Sequence, residues 1–192
     1  MEEGRKYCIC CGEEVPYNVV ERNERRELTC SYCGFTLNVE NLWEDIKVSV
    51  ETYALIAEDS DFVRNLLKEL VLKKHLASEV LAVTNGLELI TGYTRLMKKN
   101  ITSCFAIIDL NMPVMDGLTA ARTIRALEEK EHISKVPVVF FSGVKADESL
   151  KKQMELLTPA HYMNKGSDPN PENLVKRVQG LLNFIAQRYQ RI

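Results

Sequence analysis

From Thr52 onward, short apolar runs alternate with longer segments in which apolar residues recur every three or four positions. The short runs are nearly all apolar, as strands covered on both faces must be, and the longer segments suit amphipathic helices. The predicted strands are Tyr53–Ala57, Val80–Val83, Phe105–Ile108, Val136–Phe141 and His161–Met163. The predicted helices are Asp61–His75, Gly86–Lys99, Leu118–Lys130, Ala146–Leu157 and Pro171–Arg191.

Strict alternation of five strands and five helices predicts an α/β domain. Right-handed crossovers then give a parallel sheet with helices on both faces. In the last helix the apolar residues form one stripe, which comprises Leu174, Val175, Val178, Leu181, Leu182, Ile185 and Tyr189. Phe184 falls beside that stripe, and the sequence leaves open whether it covers a partner, the N-terminal region, a second copy of the chain or simply the core.

The N-terminal region has a different character, because five of the six cysteines precede residue 34. This asymmetry predicts a small cysteine domain over residues 1–38, a linker over 39–50 and the α/β domain over 51–192. A length of 192 residues suits one ordinary domain plus a small unit. With 45% hydrophobic and 27% charged residues, the composition is that of a globular protein with a packed core.

The N-terminal cysteines form two C-x-x-C-G motifs separated by 18 residues, Cys8 to Cys11 and Cys30 to Cys33. Two residues between thiolates let one tight turn direct both sulfurs at one ion, and the following glycine permits the backbone conformation of such a turn. The motifs predict a zinc ribbon whose ligands are Cys8, Cys11, Cys30 and Cys33. So small a unit has little core, and the metal would supply its folding energy.

Other interpretations of the cysteines are weaker. A pair of disulfides or a redox dithiol is disfavoured because disulfides are rare in the cytosol, and iron is a minor alternative because rubredoxins carry a longer, aromatic-rich insert between their paired turns. Cys10 is surplus, since using it as a ligand would break the first motif, and it is interpreted as a free surface thiol. Cys104, in an apolar strand, is interpreted as a core residue.

Polar residues follow four of the predicted strands: Glu58 and Asp59, Asp109, Ser142, and Lys165. Ligands of open parallel sheets bind beyond the carboxyl ends of the strands, so these side chains are expected to meet. Taken singly, each has an ordinary explanation. Asp59 or Ser60, for example, is a suitable cap for the helix that starts at Asp61.

Clustered carboxylates require a cation. Two of them about 5 Å apart repel by roughly 3 kcal/mol at an effective dielectric constant near 20. Oxygen ligands in this number suit Mg2+, with Lys165 supplying further positive charge. A carboxylate nucleophile, a hydroxyl donor, a lysine and Mg2+ are together the parts needed for phosphoryl transfer.

Four segments resemble the response-regulator receiver domain, over about Glu51 to Arg188. They are Ala-Leu-Ile-Ala-Glu58-Asp59-Ser60, Ile107-Ile-Asp109-Leu-Asn-Met-Pro-Val-Met-Asp-Gly117, Val138-Val-Phe-Phe-Ser142-Gly and Tyr162-Met-Asn-Lys165. The resemblance implies a flavodoxin-like five-stranded sheet with strand order 2-1-3-4-5. One departure is Gly166, which stands where the family usually has a proline in a cis linkage; a cis bond to glycine costs about 2.5–4 kcal/mol, so this bond is expected to be trans.

The resemblance also implies roles for individual residues. Asp109 would accept the phosphoryl group, and Lys165 would pair with its oxygens. Mg2+ would bind to Asp59, Asp109 and the main-chain carbonyl of Asn111, with Glu58 helping through water. Ser142 would turn inward to the phosphate, and Tyr162 would follow it as the coupled switch residue.

By this resemblance the chain is a two-component (phosphorelay) response regulator that catalyses only its own phosphoryl transfer and dephosphorylation. Its expected partners are a histidine kinase or phosphotransfer protein and an output protein reached through protein–protein contacts, and a homodimer is compatible. One alternative is a pseudo-receiver adaptor that works without phosphate. Another is a Toprim-like, zinc-containing nucleic-acid enzyme, which needs an Asp-x-Asp pair where this chain has Asp109-Leu-Asn111.

Charge and hydropathy limit the other partners. The net charge is -2, and residues 1–50 carry 6 basic and 10 acidic side chains, which disfavours binding to nucleic-acid phosphates. No apolar run approaches the roughly 20 residues that span a bilayer, and the first residues lack an apolar signal segment. The expected location is therefore the cytoplasm, away from membranes.

Overall fold

The computed structural model describes residues 5–22, 25–37, 52–143, 146–166 and 171–189. The predicted linker, residues 39–50, lies outside the described residues, and the domain boundaries therefore stay predictions. Among the described residues, no helix has both the length and the apolar character needed to cross a membrane.

The N-terminal region forms a three-stranded antiparallel sheet, β1-β2-β3. Its strands are β1 (Arg5–Cys8), β2 (Glu13–Arg22) and β3 (Arg25–Cys30). Each cysteine motif closes as a tight turn, in which Gly12 N donates to Cys8 O at 2.7 Å and Gly34 N donates to Cys30 O at 2.9 Å. Both glycines have positive φ, 81° and 71°, as expected from the residue that follows each motif. Among the residues whose burial the structure describes, the buried core of this sheet consists of Cys8, Val15 and Cys30.

The second sheet has five parallel strands in the order β5-β4-β6-β7-β8, which is 2-1-3-4-5 when its own strands are counted. These strands are β4 (Thr52–Ala57), β5 (Glu79–Val83), β6 (Thr102–Ile108), β7 (Val138–Ser142) and β8 (Ala160–Asn164). The predicted flavodoxin-like fold is thus confirmed. The predicted strand start at Val136 is wrong, because Pro137 has no N–H for the ladder and Val136 N instead donates to Glu128 Oε1 at 2.7 Å.

In the described part of the chain, five helices cover the parallel sheet. They are α1 (Asp61–Lys73), α2 (Gly86–Lys98), α3 (Gly117–Lys130), α4 (Glu148–Glu155) and α5 (Pro171–Tyr189). Side chains of α1 and α5 share one core cluster, and those of α2, α3 and α4 share the other. Strand β4 supplies both, since Ala54 and Ile56 join the first cluster while Leu55 and Ala57 join the second. This alternation explains why the strand is apolar at successive positions.

The two sheets are not independent. Residues 5–22 and 25–37, here called the cysteine unit, pack against α5, which covers the parallel sheet. The ring centroids of Phe35 and Phe184 lie 5.4 Å apart. Ile9 lies against Gly180, where an added Cβ would overlap the Ile9 side chain. The sequence left open what Phe184 covers, and the structure shows that it covers the cysteine unit. His161 packs edge-on against the same ring at 5.0 Å, which makes it a packing residue.

Candidate functional site

Three carboxylates meet at the carboxyl ends of β4 and β6. Glu58, Asp59 and Asp109 each offer an oxygen within 4.8 Å of the others. The sheet itself places them, since Glu58 N donates to Val83 O at 3.0 Å and Asp109 N donates to Ala57 O at 2.9 Å. The sequence prediction that these residues converge is correct.

Lys165 reaches the same pocket from the end of β8. Its Nζ lies 2.6 Å from Glu58 Oε2 and 2.6 Å from Asp109 Oδ2. Its main-chain N donates to Ser142 O at 2.8 Å, which fixes the start of its loop beside the end of β7. The Lys165–Gly166 bond is trans, as expected, since Thr158–Pro159 is the cis bond among the described residues.

Burial dominates the electrostatics of Glu58. Only 1% of the residue is exposed, and this burial raises the pKa of its carboxyl to about 7, with Lys165 opposing part of the increase. The raised pKa means that a proton competes for this carboxylate near neutral pH. A cation bound in the pocket would favour the ionised form, so the geometry and the titration of Glu58 both suit a cation site.

The remaining predicted residues lie around this pocket. Asn111 N donates to Asp109 Oδ1 at 3.3 Å. Ser142, at the end of β7, is buried, and its main-chain oxygen accepts a hydrogen bond from the Tyr162 hydroxyl at 3.3 Å. Ser60, rather than Asp59, caps α1, because Val63 N donates to Ser60 Oγ at 3.5 Å. Asp59 is therefore left exposed within the carboxylate cluster.

Gly117 holds the loop that follows Asp109. Its N donates to Leu110 O at 3.0 Å, and an added Cβ would overlap the Asp109 carbonyl oxygen. Asp116 caps α3 by accepting from Thr119 N at 2.8 Å. The glycine at this point is therefore required by the close approach of two backbone segments.

The four predicted zinc ligands also come together, with all four sulfurs within 4.8 Å of one another. Cys8 Sγ lies 3.6 Å from Cys33 Sγ, and Cys11 Sγ lies 3.7 Å from Cys30 Sγ. Zinc–sulfur bonds of about 2.3 Å in a tetrahedron separate the sulfurs by about 3.8 Å, so the spacing fits a zinc site with four cysteine ligands. A disulfide would need about 2.05 Å, and all six cysteines are free.

Backbone amides support this cluster. The N–H groups of Tyr32 and Cys33 point at Cys30 Sγ, 3.4 and 3.5 Å away. Burial alone would raise the pKa of the Cys30 thiol, but these donors outweigh it and the pKa is lowered. Burial raises the pKa of Cys11 to about 12. A set of thiols held this closely is costly to ionise without a cation, which is the condition that a structural metal relieves.

Sequence reasoning missed Arg177, which contacts both the cysteine turn and the residue before Lys165. Arg177, in α5, is buried, and its guanidinium donates to Asn164 O and Ile9 O. Its signal was present in the sequence, because a charged residue stands beside the apolar stripe of the last helix. Cys10 is a free thiol, but it is not simply at the surface: Cys10 Sγ donates to Tyr162 O at 3.1 Å. Cys104 packs on the core as predicted.

Comparison with known proteins identifies relatives of the α/β domain. A model of the response regulator receiver domain family matches residues 54–179. Chemotaxis protein CheY of Halobacterium salinarum is 28% identical over 102 residues, which cover 53% of this chain and 74% of that protein. Protein-glutamate methylesterase/protein-glutamine glutaminase 3 of Rhodospirillum rubrum is 38% identical over 48% of this chain, and the match spans 22% of that protein.

A fungal histidine kinase matches as well. The peroxide stress-activated histidine kinase mak3 of Schizosaccharomyces pombe is 31% identical over 58% of this chain, and the match spans 4% of that protein. The chain therefore spans less than a quarter of the length of the kinase and of the methylesterase.

Solved structures show the same fold. The response regulator domain of Thermotoga maritima CheB aligns with a TM-score of 0.56 at 17% identity, over 73% of this chain and 97% of that domain. The receiver domain of the histidine kinase CKI1 from Arabidopsis thaliana, complexed with Mg2+, aligns with a TM-score of 0.51 at 22% identity, over 66% of this chain and 90% of that domain.

Proposed function

Because this chain belongs to the response regulator receiver family, we propose that it is a phosphorelay response regulator that accepts a phosphoryl group on Asp109. The observation that carries the proposal is the convergence of Glu58, Asp59, Asp109 and Lys165 at one edge of the parallel sheet. In this proposal the chain catalyses only the phosphoryl transfer to its own Asp109 and its own dephosphorylation.

The carboxylate cluster would hold Mg2+. The donors are Asp59, Asp109 and the main-chain carbonyl of Asn111, with Glu58 acting through water. Oxygen donors within 4.8 Å of one another fit this ion, and the receiver domain of CKI1 was solved with Mg2+. When bound, the ion neutralises charge on the transferring phosphoryl group.

The residues of this chain would orient the transfer. A carboxylate oxygen of Asp109 attacks the phosphorus while the bond from phosphorus to the donor breaks, and the electron pair leaves with the donor. Lys165, already 2.6 Å from Asp109 Oδ2, moves its ion pair to the incoming phosphoryl oxygens. Ser142 donates a hydrogen bond to the phosphoryl group, and Tyr162, beside it, follows as the switch residue. The charge of about -1.5 to -2 added to Asp109 drives that movement.

Incubation with acetyl phosphate and Mg2+ tests this function. We expect one phosphoryl group per chain, on an acyl bond that hydroxylamine cleaves, with the adduct mapping to Asp109 by mass spectrometry. Chelation of Mg2+ and Asp109→Asn should each abolish it, whereas Asp116→Asn, at an acidic residue in the same loop, should retain it. An unmodified wild-type chain that still binds partners would instead support the pseudo-receiver alternative, and metal-dependent nicking of nucleic acid would support the Toprim-like one.

Binding of Mg2+ should depend on pH through Glu58. Since the pKa of this buried carboxyl is raised to about 7, a proton occupies it at lower pH and must leave when the cation binds. The apparent Mg2+ affinity should rise by up to about tenfold per pH unit below 7 and level off above about pH 8. Without Mg2+, the pH dependence of the folding stability has the opposite sign to that of the Mg2+ affinity. A folded-state pKa above the unfolded value stabilises the fold at low pH, and that stability is lost as pH rises through 7.

Calorimetric Mg2+ titrations at pH 6 and pH 8 measure this dependence. Glu58→Gln is the matched variant and should bind Mg2+ with little change between the two pH values. A wild-type affinity that is the same at pH 6 and pH 8 would contradict the role of Glu58.

The four N-terminal cysteines would bind structural zinc in a four-cysteine ribbon, by the sulfur spacing described above. Iron is the alternative metal for this site, and measurement of the metal content of the purified chain distinguishes it from zinc. We retain the division into a ribbon over residues 1–38, a linker over 39–50 and a receiver domain over 51–192.

The partners follow from the receiver family. A histidine kinase or phosphotransfer protein would supply the phosphoryl group, and a protein would receive the output signal, with homodimerisation as one form that output can take. The net charge of -4 over residues 1–50 disfavours nucleic acid as the target of the ribbon. Six free cysteines are consistent with a cytoplasmic protein.

A further inference from the structure

A buried guanidinium lies where the cysteine unit meets the loop that carries Lys165. Arg177 is 5% exposed. Its Nη1 donates to Asn164 O at 3.2 Å and to Ile9 O at 3.4 Å. Its Nη2 contacts the Tyr7 hydroxyl, and its Cζ lies 5.4 Å from the centre of the Tyr7 ring. One side chain therefore joins the turn between Cys8 and Cys11 to the residue that precedes Lys165.

Two glycine turns enclose this guanidinium. Gly12, which ends the first cysteine motif, and Gly166, which follows Lys165, both have positive φ, 81° and 82°. A Cβ added to Gly12 would lie 3.3 Å from Arg177 Nη1, and one added to Gly166 would lie 2.5 Å from its Cζ. The planar group thus fills the space between the cysteine turn and the Lys165 loop, and a side chain added at Gly166 would displace it.

Asn164 links Arg177 to the pocket that contains Lys165 and Asp109. Its carbonyl is held by Arg177, its Oδ1 accepts from Gly166 N at 2.6 Å, and its Nδ2 donates to the Tyr162 hydroxyl at 3.1 Å. Lys165 lies inside this bonded segment and reaches Asp109. A second contact runs alongside it, since Cys10 Sγ donates to Tyr162 O. The cysteine turn therefore contacts the backbone of β8 directly at Tyr162 and, through Arg177, at Asn164.

We propose that Arg177 is a positioning residue that couples the four-cysteine unit to Lys165, so that metal binding by the cysteines and phosphoryl binding at Asp109 favour each other. This inference rests on the phosphoacceptor and zinc functions proposed above. The metal would fix the turn that supplies Ile9 O and the end of β1 that supplies the Tyr7 ring. Without the metal, Arg177 loses these contacts and holds Asn164 less firmly, so Lys165 is less well placed.

The coupling is reciprocal by thermodynamic linkage and is expected to be about tenfold in affinity. The probe is beryllofluoride with Mg2+, a stable mimic of the phosphoryl group, titrated calorimetrically into the zinc-loaded full chain. Arg177→Gln should bind it about tenfold more weakly than wild type. Lys176→Gln removes one positive charge from the neighbouring position of α5 and should leave the affinity unchanged.

A double-mutant cycle separates positioning from a general structural effect. If Arg177 acts through Lys165, Arg177→Gln should have no further effect in a Lys165→Ala background. An equal loss in both backgrounds would overturn the proposal. Should Arg177→Gln fail to fold, Arg177→Lys replaces it, because an ammonium keeps the charge but has one nitrogen and cannot contact the Tyr7 hydroxyl together with the two carbonyl oxygens, as the two guanidinium nitrogens do. The same loss is expected.

Removal of zinc tests the same coupling from the four-cysteine site. Stripping zinc should weaken beryllofluoride binding about tenfold in wild type but not in Arg177→Gln, and beryllofluoride should strengthen zinc binding by the same factor in competition with a chromophoric chelator. Affinities that are independent of each other, with both ligands bound, would overturn this inference alone. A wild-type chain that binds no beryllofluoride or no zinc would overturn the corresponding function proposed above and this coupling with it.

Discussion

Substitution of Cys30 by serine is expected to unfold the N-terminal sheet while the five-stranded domain remains folded. Apart from the cysteines, this sheet buries only Val15 among the described hydrophobic residues, so packing alone cannot offset the entropy of ordering it. Structural zinc contributes apparent binding free energies of about 10–16 kcal/mol in small zinc domains, which is the largest stabilising contribution available to this unit. The expected result is loss of bound zinc and of β1–β3.

Metal analysis by mass spectrometry and the dispersion of amide NMR signals measure both effects. Cys10→Ser is the matched control, because Cys10 lies between two ligands in the sequence but outside the group of four sulfurs. This variant should retain one zinc per chain. Equal zinc loss in both variants, or a wild-type chain that carries coloured iron instead, would contradict the assignment.

Replacing Lys165 with methionine should cost about 3 kcal/mol of folding free energy at pH 8 without Mg2+. The ammonium is 13% exposed and faces two carboxylates that are 2% and 7% exposed, and removal of one partner leaves buried charge uncompensated. At pH 6 the cost should be smaller, because Glu58, with its pKa raised to about 7, already holds a proton. Saturating Mg2+ should restore most of the loss by replacing the missing positive charge.

Urea unfolding at the two pH values, with and without Mg2+, measures these differences. Lys151→Met is the matched control: Lys151 Nζ lies 2.7 Å from Glu148 Oε1, but the side chains are 57% and 81% exposed, so water screens the pair and its loss should leave the unfolding midpoint almost unchanged. A Lys165→Met penalty that neither falls at pH 6 nor responds to Mg2+ would show that electrostatics is not its cause.

Much of the fold could be predicted from the chain because its periodicities are strong. Strands buried on both faces are apolar throughout, and β4 could be recognised as one before its neighbours were known. The carboxylate cluster was predictable for a related reason. Once the strands are parallel, Glu58 and Asp109 must arrive at the same edge, although they lie far apart along the chain.

Contacts between the two units were not predictable in this way. The helical period of α5 identifies the stripe that meets the parallel sheet, but it does not say what covers the neighbouring stripe of Arg177, Gly180 and Phe184. Ile9, which lies 168 residues before Arg177 in the sequence, covers Arg177 and Gly180. Phe35 covers Phe184. No local rule links the two segments.

The sequence by itself determined the α/β order, the paired cysteine turns and the polar residues at the strand ends, because each follows from local periodicity, motif spacing or strand direction. Tertiary structure decided that Phe184 covers the cysteine unit, that Cys10 faces Tyr162 and that Arg177 lies between the cysteine turn and the Lys165 loop. The physical reason is that packing between distant segments depends on how their surfaces fit, and such complementarity leaves no periodic trace in either segment alone.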